Sequence, residues 1–133
     1  MASANYVVTP KNGAFVQATA ANSNRDGTGT LVTVYTAAAS ALGSRIDRIV
    51  IQATATTTAG MIRLYLANSA ASAIRLIQEI PVIAITPSAT QPAFSVVVNF
   101  DQGLVLENAA TLRASTANAE VFNIQPIVAG DFV

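Results

Sequence analysis

Residues 93–100 read Ala-Phe-Ser-Val-Val-Val-Asn-Phe, with Phe94, Val96, Val98 and Phe100 at every second position. Successive side chains of a strand point to opposite faces, so this spacing fits a pleated ribbon and not a helix. The same alternation recurs along the chain. Ile49, Ile51, Ala53 and Ala55 share one face of a segment at 45–56. Ile62, Leu64 and Leu66 share one face at 61–68, with Arg63 and Tyr65 pointing outward. At 30–38, Leu31, Thr33 and Tyr35 point one way while Val32, Val34 and Thr36 point the other, so both faces are expected to be partly buried. Further strands are expected at 14–21, 73–80, 104–107, 111–117 and 120–128. Within 73–80, Ile74, Leu76 and Ile80 are expected to share a face with Gln78. Val, Ile, Phe and Thr dominate these positions, and they suit a half-buried pleated surface.

Turn chemistry separates the runs: the polar stretch from Asn22 to Gly27, Thr56 to Gly60, Asp101-Gln102-Gly103, and Asn118. Pro81, Pro87 and Pro92 fall where sheets tolerate proline, at edges and turns. The alanine runs at 37–41 and 70–73 are too short to hold a helix by propensity alone. Roughly eight short strands with Gly, Pro and Asn turns predict an all-β, single-domain antiparallel β-sandwich, with an eight-stranded jelly roll as the preferred topology. Residues 1–12 are expected to form an extended N-terminal arm, and 13–133 the sandwich. The arm carries apolar Tyr6, Val7 and Val8 before Pro10, an unusual content for a solvated tail. Gly130-Asp131-Phe132-Val133 is expected to be a short tail.

Composition narrows the function. Charged residues are 11% of the chain, against about 25% in an ordinary domain, while 52% is apolar. A poorly charged surface is poorly protected against association, which points to a subunit covered by neighbours. With no His and no Cys, Ser–His and Cys–His nucleophile pairs, disulfides and thiolate zinc sites are ruled out. Asp101 and Glu107 flank a turn, where acids ordinarily bond the local backbone. No catalytic, metal-binding or cofactor-binding residue is assigned, and no cofactor is expected. The stretch from Asn24 to Thr30 contains two glycines but lacks the G-x-x-x-x-G-K-[ST] phosphate pattern and the calcium-loop pattern. Net charge is zero and Lys11 is the single lysine, so no nucleic-acid partner is expected. The apolar run from Ile80 to Ile85 contains Pro81 and is far shorter than the ~20 residues of a membrane span. With no signal-peptide pattern either, synthesis in the cytoplasm and no membrane partner are expected.

Arg45-Ile46-Asp47-Arg48 sets three charges at a strand start. Arginine's planar fork suits pairing across interfaces, and the alternative is a polar strand entrance. Together with Tyr6, Val7, Val8 and Pro10, residues Arg45, Asp47 and Arg48 are the interface candidates.

Several segments resemble a family of tailed-bacteriophage virion proteins. They are Asn24-Arg25-Asp26-Gly27-Thr28-Gly29-Thr30, Ser44-Arg45-Ile46-Asp47-Arg48-Ile49, the run from Thr56 to Leu64, Glu79-Ile80-Pro81-Val82 with Thr86-Pro87-Ser88-Ala89-Thr90, and Leu112-Arg113-Ala114-Ser115-Thr116 with Ala119-Glu120-Val121-Phe122-Asn123. They span 24–124; the stretch at 67–73 departs from the resemblance by its alanine content. The resemblance implies a capsid decoration, or cement, protein: a jelly-roll subunit on the outer surface of the virion. Its implied partners are the major capsid protein and two further copies of itself, in a homotrimer over junctions between capsomers. The alternative is a head-fibre, neck or tail-associated module that binds a receptor or carbohydrate, for which Tyr35 and Tyr65 are the outward aromatic candidates.

Overall fold

The alternating segments do become strands. The computed structural model describes residues 8–39 and 42–132. Its elements are β1 (Val8–Pro10), β2 (Val16–Ala18), β3 (Val32–Thr36), β4 (Ser44–Ala53), β5 (Gly60–Ala67), β6 (Ile74–Val82), β7 (Ser95–Leu106), β8 (Thr111–Thr116) and β9 (Phe122–Phe132). They form two antiparallel sheets packed as a β-sandwich. The first has the order β1-β9-β4-β7, with β2 also paired to β9; the second has the order β3-β8-β5-β6.

The core lies between the sheets and follows the alternation. Ile49, Ile51 and Ala53 of β4, Val98 of β7 and Phe122 and Ile124 of β9 meet Ile62 and Leu64 of β5 and Leu112 and Ala114 of β8. Phe94 meets Phe122 edge-on, with ring centroids 6.2 Å apart. Each large aliphatic or aromatic side chain buried this way contributes roughly 1.5–3 kcal/mol.

Four features depart from the sequence pattern, each for a local reason. The pairing of β3 with β8 shifts register between Thr33 and Tyr35. That bulge reverses the alternation, so Tyr35 is turned into the interior and is fully buried. A second bulge, between Leu64 and Tyr65 of β5, leaves Ile77 of β6 without an opposite residue. It sets Gln78 and Ile80 opposite the inward Leu64 and Ile62, and Leu76 opposite the outward Tyr65, so the expected shared face splits in two.

The turn expected at Asp101-Gln102-Gly103 is an excursion inside the continuous strand β7. Pairing with β4 jumps from Arg48↔Asn99 to Ile46↔Leu104. Gly103 adopts φ +87°, the left-handed region that favours glycine, and a Cβ there would stand 2.4 Å from Arg45 Nε, so the arginine side chain would have to shift to admit one. Finally, both chain ends are built into the first sheet. Val8, Thr9 and Pro10 pair with Phe132, Asp131 and Gly130, so the expected tail is the end of β9. Of the expected arm, residues 8–12 belong to the sheet edge, where the Lys11 amide donates to the Ala129 carbonyl at 3.1 Å.

Candidate interaction face

The outer faces of the two sheets differ. Over the second sheet, the connection from β2 to β3 folds back as a flap across β8, β5 and β6. Ala21 bridges Thr116, and the buried Asn22 amide donates to the carbonyls of Thr28 and Thr30, both at 3.0 Å. The Tyr65 hydroxyl donates to the Asn24 carbonyl at 2.7 Å. Glu79 of β6 accepts from Arg25 of the flap at 2.7 Å and from Arg63 of β5 at 2.9 Å. The hydrogen bond from Arg25 holds the Glu79 carboxyl below the usual carboxylate range; desolvation opposes it, and the hydrogen bond from Arg63 and the two guanidinium charges add to the lowering. Arg63 and Tyr65 therefore sit on the outer side of their strand, as the alternation predicts, but under the flap and buried.

A second polar cluster ties the sheets together at the end where β4 begins. Inside it, the Tyr35 hydroxyl donates to Asp131 Oδ1 at 2.8 Å. Ser44 also donates to that oxygen and accepts from the Ala38 amide at 2.9 Å. Lys11 Nζ lies 3.5 Å from Asp131 Oδ2, 4.9 Å above the Tyr35 ring, and donates to the Thr36 carbonyl at 2.7 Å. Burial opposes ionisation of Asp131, but the hydrogen bonds from Ser44 and Tyr35 and the Lys11 charge outweigh it and hold the carboxyl below its ordinary range. Burial, then the hydrogen bond to Asp131, push the Tyr35 phenol well above its ordinary value.

No segment among the described residues lies across the outer face of the first sheet in the way the flap covers the second. Cross-strand rows describe it: Gln17–Asn123–Gln52–Ser95, then Gln125–Val50–Val97, then Ile127–Arg48–Asn99, then Gly130–Arg45–Val105. Val97 (48% exposed), Val105 (60%), Ile127 (39%) and Val128 (55%) stand open to solvent. Val128 holds φ +54°, a conformation that a β-branched residue avoids and that costs about 1–2 kcal/mol. Near Val105, the gap between the sheets opens into a cleft of about 370 Å³ lined by Leu66, Ile77, Val105 and Leu106, with Arg75 and Glu107.

Of the interface candidates, Arg45, Asp47 and Arg48 are brought together on this open face. Arg45 Nε pairs with Asp47 Oδ1 at 2.7 Å, and Arg48 is exposed. Pro10 is exposed on β1 at the sheet edge, where the backbone of Val8 pairs with Phe132. Tyr6 and Val7 lie outside the described residues. Sequence reasoning missed the exposed aliphatic residues and Phe15, which is 72% exposed. The signal was present in Val96-Val97-Val98 and Ile127-Val128, where consecutive apolar residues must serve both faces of a strand. Tyr35 and Tyr65, the aromatic candidates for ligand binding, are both fully buried and cannot serve as a platform.

Scanning the chain against protein-family models finds no match, and comparison with curated proteins and with solved structures finds none either.

Proposed function

We propose that this chain is a non-enzymatic virion subunit that decorates a tailed-phage capsid and stabilises it by bridging neighbouring major capsid protein subunits. The observation that carries the reading is the asymmetry of the sandwich. The chain's own flap lies across the second sheet, where Ile77 on the edge strand β6 stays exposed, while the first leaves four aliphatic side chains and the Arg45–Asp47–Arg48 cluster uncovered. Apolar groups grouped on one face mark a surface that meets another protein. Burying their exposed halves is worth roughly 3–5 kcal/mol gross per subunit, much of it offset by the loss of rotational and translational freedom. Copies repeated over a shell, and linked to each other as a homotrimer, convert such modest contacts into lasting attachment.

The strand order also supports the jelly-roll reading. β5–β6, β4–β7, β3–β8 and β2–β9 are all paired, so the chain is a series of nested hairpins rolled into two sheets, an arrangement frequent in virion proteins. A clamp of this kind works on the outer surface of the shell, where seams between capsomers separate under internal pressure.

The test uses heads assembled from the major capsid protein of the same phage. Val97→Lys with Ile127→Lys is expected to lower occupancy on those heads at least tenfold while leaving the melting temperature within a few degrees. Unchanged occupancy, or a wild-type chain that does not bind the heads at all, refutes the proposal.

A further inference from the structure

We infer that the opposite end of the same open face, around Phe15, binds a neutral oligosaccharide. This goes beyond the decoration role and rests on different residues. Phe15 precedes β2 and is 72% exposed, and its backbone holds φ +52°. That left-handed conformation costs an L-residue about 1–2 kcal/mol. Such strain persists where the surroundings impose it, and it gathers at ligand sites. Here the chain is pinned on both sides, by Lys11 on Ala129 and by Val16 opposite Ile124. The ring is thus presented on a fixed stem.

Beside Phe15 is a shallow concavity of about 490 Å³, lined also by Val16, Gln17, Asn123, Ile124 and Gln125. Its polar groups are amides, and they are already oriented. Gln17 Nε2 donates to Asn123 Oδ1 at 2.6 Å, and Gln125 Nε2 donates to the Asn12 carbonyl at 2.7 Å. An amide carries two donor hydrogens and two acceptor lone pairs; Gln125 Nε2 gives its second hydrogen to the Pro126 carbonyl at 3.3 Å and keeps acceptor capacity, while Gln17 and Asn123 keep capacity in both roles. Gln52 and Ser95 continue the Gln17–Asn123 row across the sheet. Four adjacent strands at ~4.8 Å spacing make that row about 14 Å long, which suits several linked sugar rings better than one.

The chemistry selects the ligand class. A phenyl ring offers an apolar plane for the C–H face of a pyranose, and fixed amides match its hydroxyl rim in both donor and acceptor roles. Acidic ligands call for an Arg fork or a Lys charge, and the nearest charged residue along these rows is Arg48, two rows beyond Gln52. An apolar peptide would leave the amides unpaired, at a cost of about 1–3 kcal/mol for each group left buried.

The test is an array of neutral oligosaccharides built from glucose, galactose and N-acetylhexosamines, beside sialylated and sulfated ones, followed by calorimetry on the strongest neutral binder. Wild-type protein is expected to bind a neutral glycan. Phe15→Ala is expected to lose at least tenfold in affinity with an unchanged melting temperature, Phe15→Trp to retain binding, and Asn123→Ala to weaken it. Binding only to acidic glycans, no binding to any neutral glycan, or wild-type affinity in Phe15→Ala overturns the inference. Head occupancy separates this site from the decoration face: the Val97→Lys, Ile127→Lys protein is expected to keep its glycan affinity. If Phe15→Ala lowers occupancy on heads and leaves glycan affinity unchanged, Phe15 is a protein contact and the saccharide site is refuted while the decoration role stands.

Discussion

Replacing Tyr35 by Phe removes one hydroxyl from a closed cluster and leaves the rest of the packing in place. The ring is fully buried, and a phenyl of the same shape keeps both its core contacts and its position 4.9 Å beneath Lys11 Nζ. What disappears is the 2.8 Å donation to Asp131 Oδ1. A hydrogen bond to a charged group is worth about 1.5–3 kcal/mol. The Asp131 side chain is 24% exposed, so water replaces part of the loss, and a cost of about 2 kcal/mol at pH 7 is expected. For a domain of this length that corresponds to roughly 6–10 °C in melting temperature. The cost must depend on pH. A carboxylate with a lowered folded pKa contributes stability above its unfolded value, near 3.9, and loses it as pH falls through the folded value. Removing a donor raises the folded value, so the difference between wild type and Tyr35→Phe narrows in acid. It narrows again in alkali, because the folded phenol resists ionisation while the unfolded tyrosine ionises near pH 10. Urea unfolding at pH 2.5, 7 and 10.5 measures this. A penalty equal at all three values, or below about 0.5 kcal/mol at pH 7, refutes the reasoning.

Asn22→Ala removes two donations to the flap carbonyls and one acceptance from the Asn24 amide; it is expected to cost about 1–2 kcal/mol and to speed amide exchange at 22–30, and unchanged exchange there counts against the flap as a latched cover. Val128→Gly relieves a positive φ on a β-branched residue and is expected to raise stability by about 0.5–1 kcal/mol while weakening attachment to heads; a lower melting temperature shows that Val128 is not strained.

Most of the fold was legible because alternation states which residues face a core. Phe94 and Val98, and Ile49, Ile51 and Ala53, are buried as their spacing predicts. Two of the failures have one cause: a single inserted residue inverts every side chain beyond it. The bulge at β3 turned Tyr35 inward, and no periodicity announces a bulge. Tyr65 failed for a different reason. Its strand face was read correctly, but what covers that face is a polar stretch some forty positions away, joined to it by Tyr65 and Asn24. The open face was legible only in part. The charged cluster at Arg45 to Arg48 was visible as a run, whereas Phe15 stands out only once its backbone conformation and exposure are known.

The scarcity of charge acquires a sharper meaning in the folded chain. Lys11, Arg25, Arg45, Arg63, Asp47, Glu79 and Asp131 are all engaged in ion pairs within the molecule. They amount to half of the chain's formal charges. These pairs latch the flap, close the end of the sandwich and brace the β7 excursion. Partly exposed ion pairs of this kind contribute little each to stability, but together they neutralise three charges of each sign, leaving one positive charge over because Arg25 and Arg63 share Glu79, and neutralised charges no longer help to keep neighbouring molecules apart. The surface left to oppose association is therefore about half as charged as the composition implies, and the unpaired Arg48 stands on the face where aliphatic side chains are open. A chain with this distribution gains more from covering that face than from solvating it. Lysine placed at Val97 and Ile127 tests this directly, because it adds charge at the open aliphatic positions beside Arg48 and alters nothing in the core.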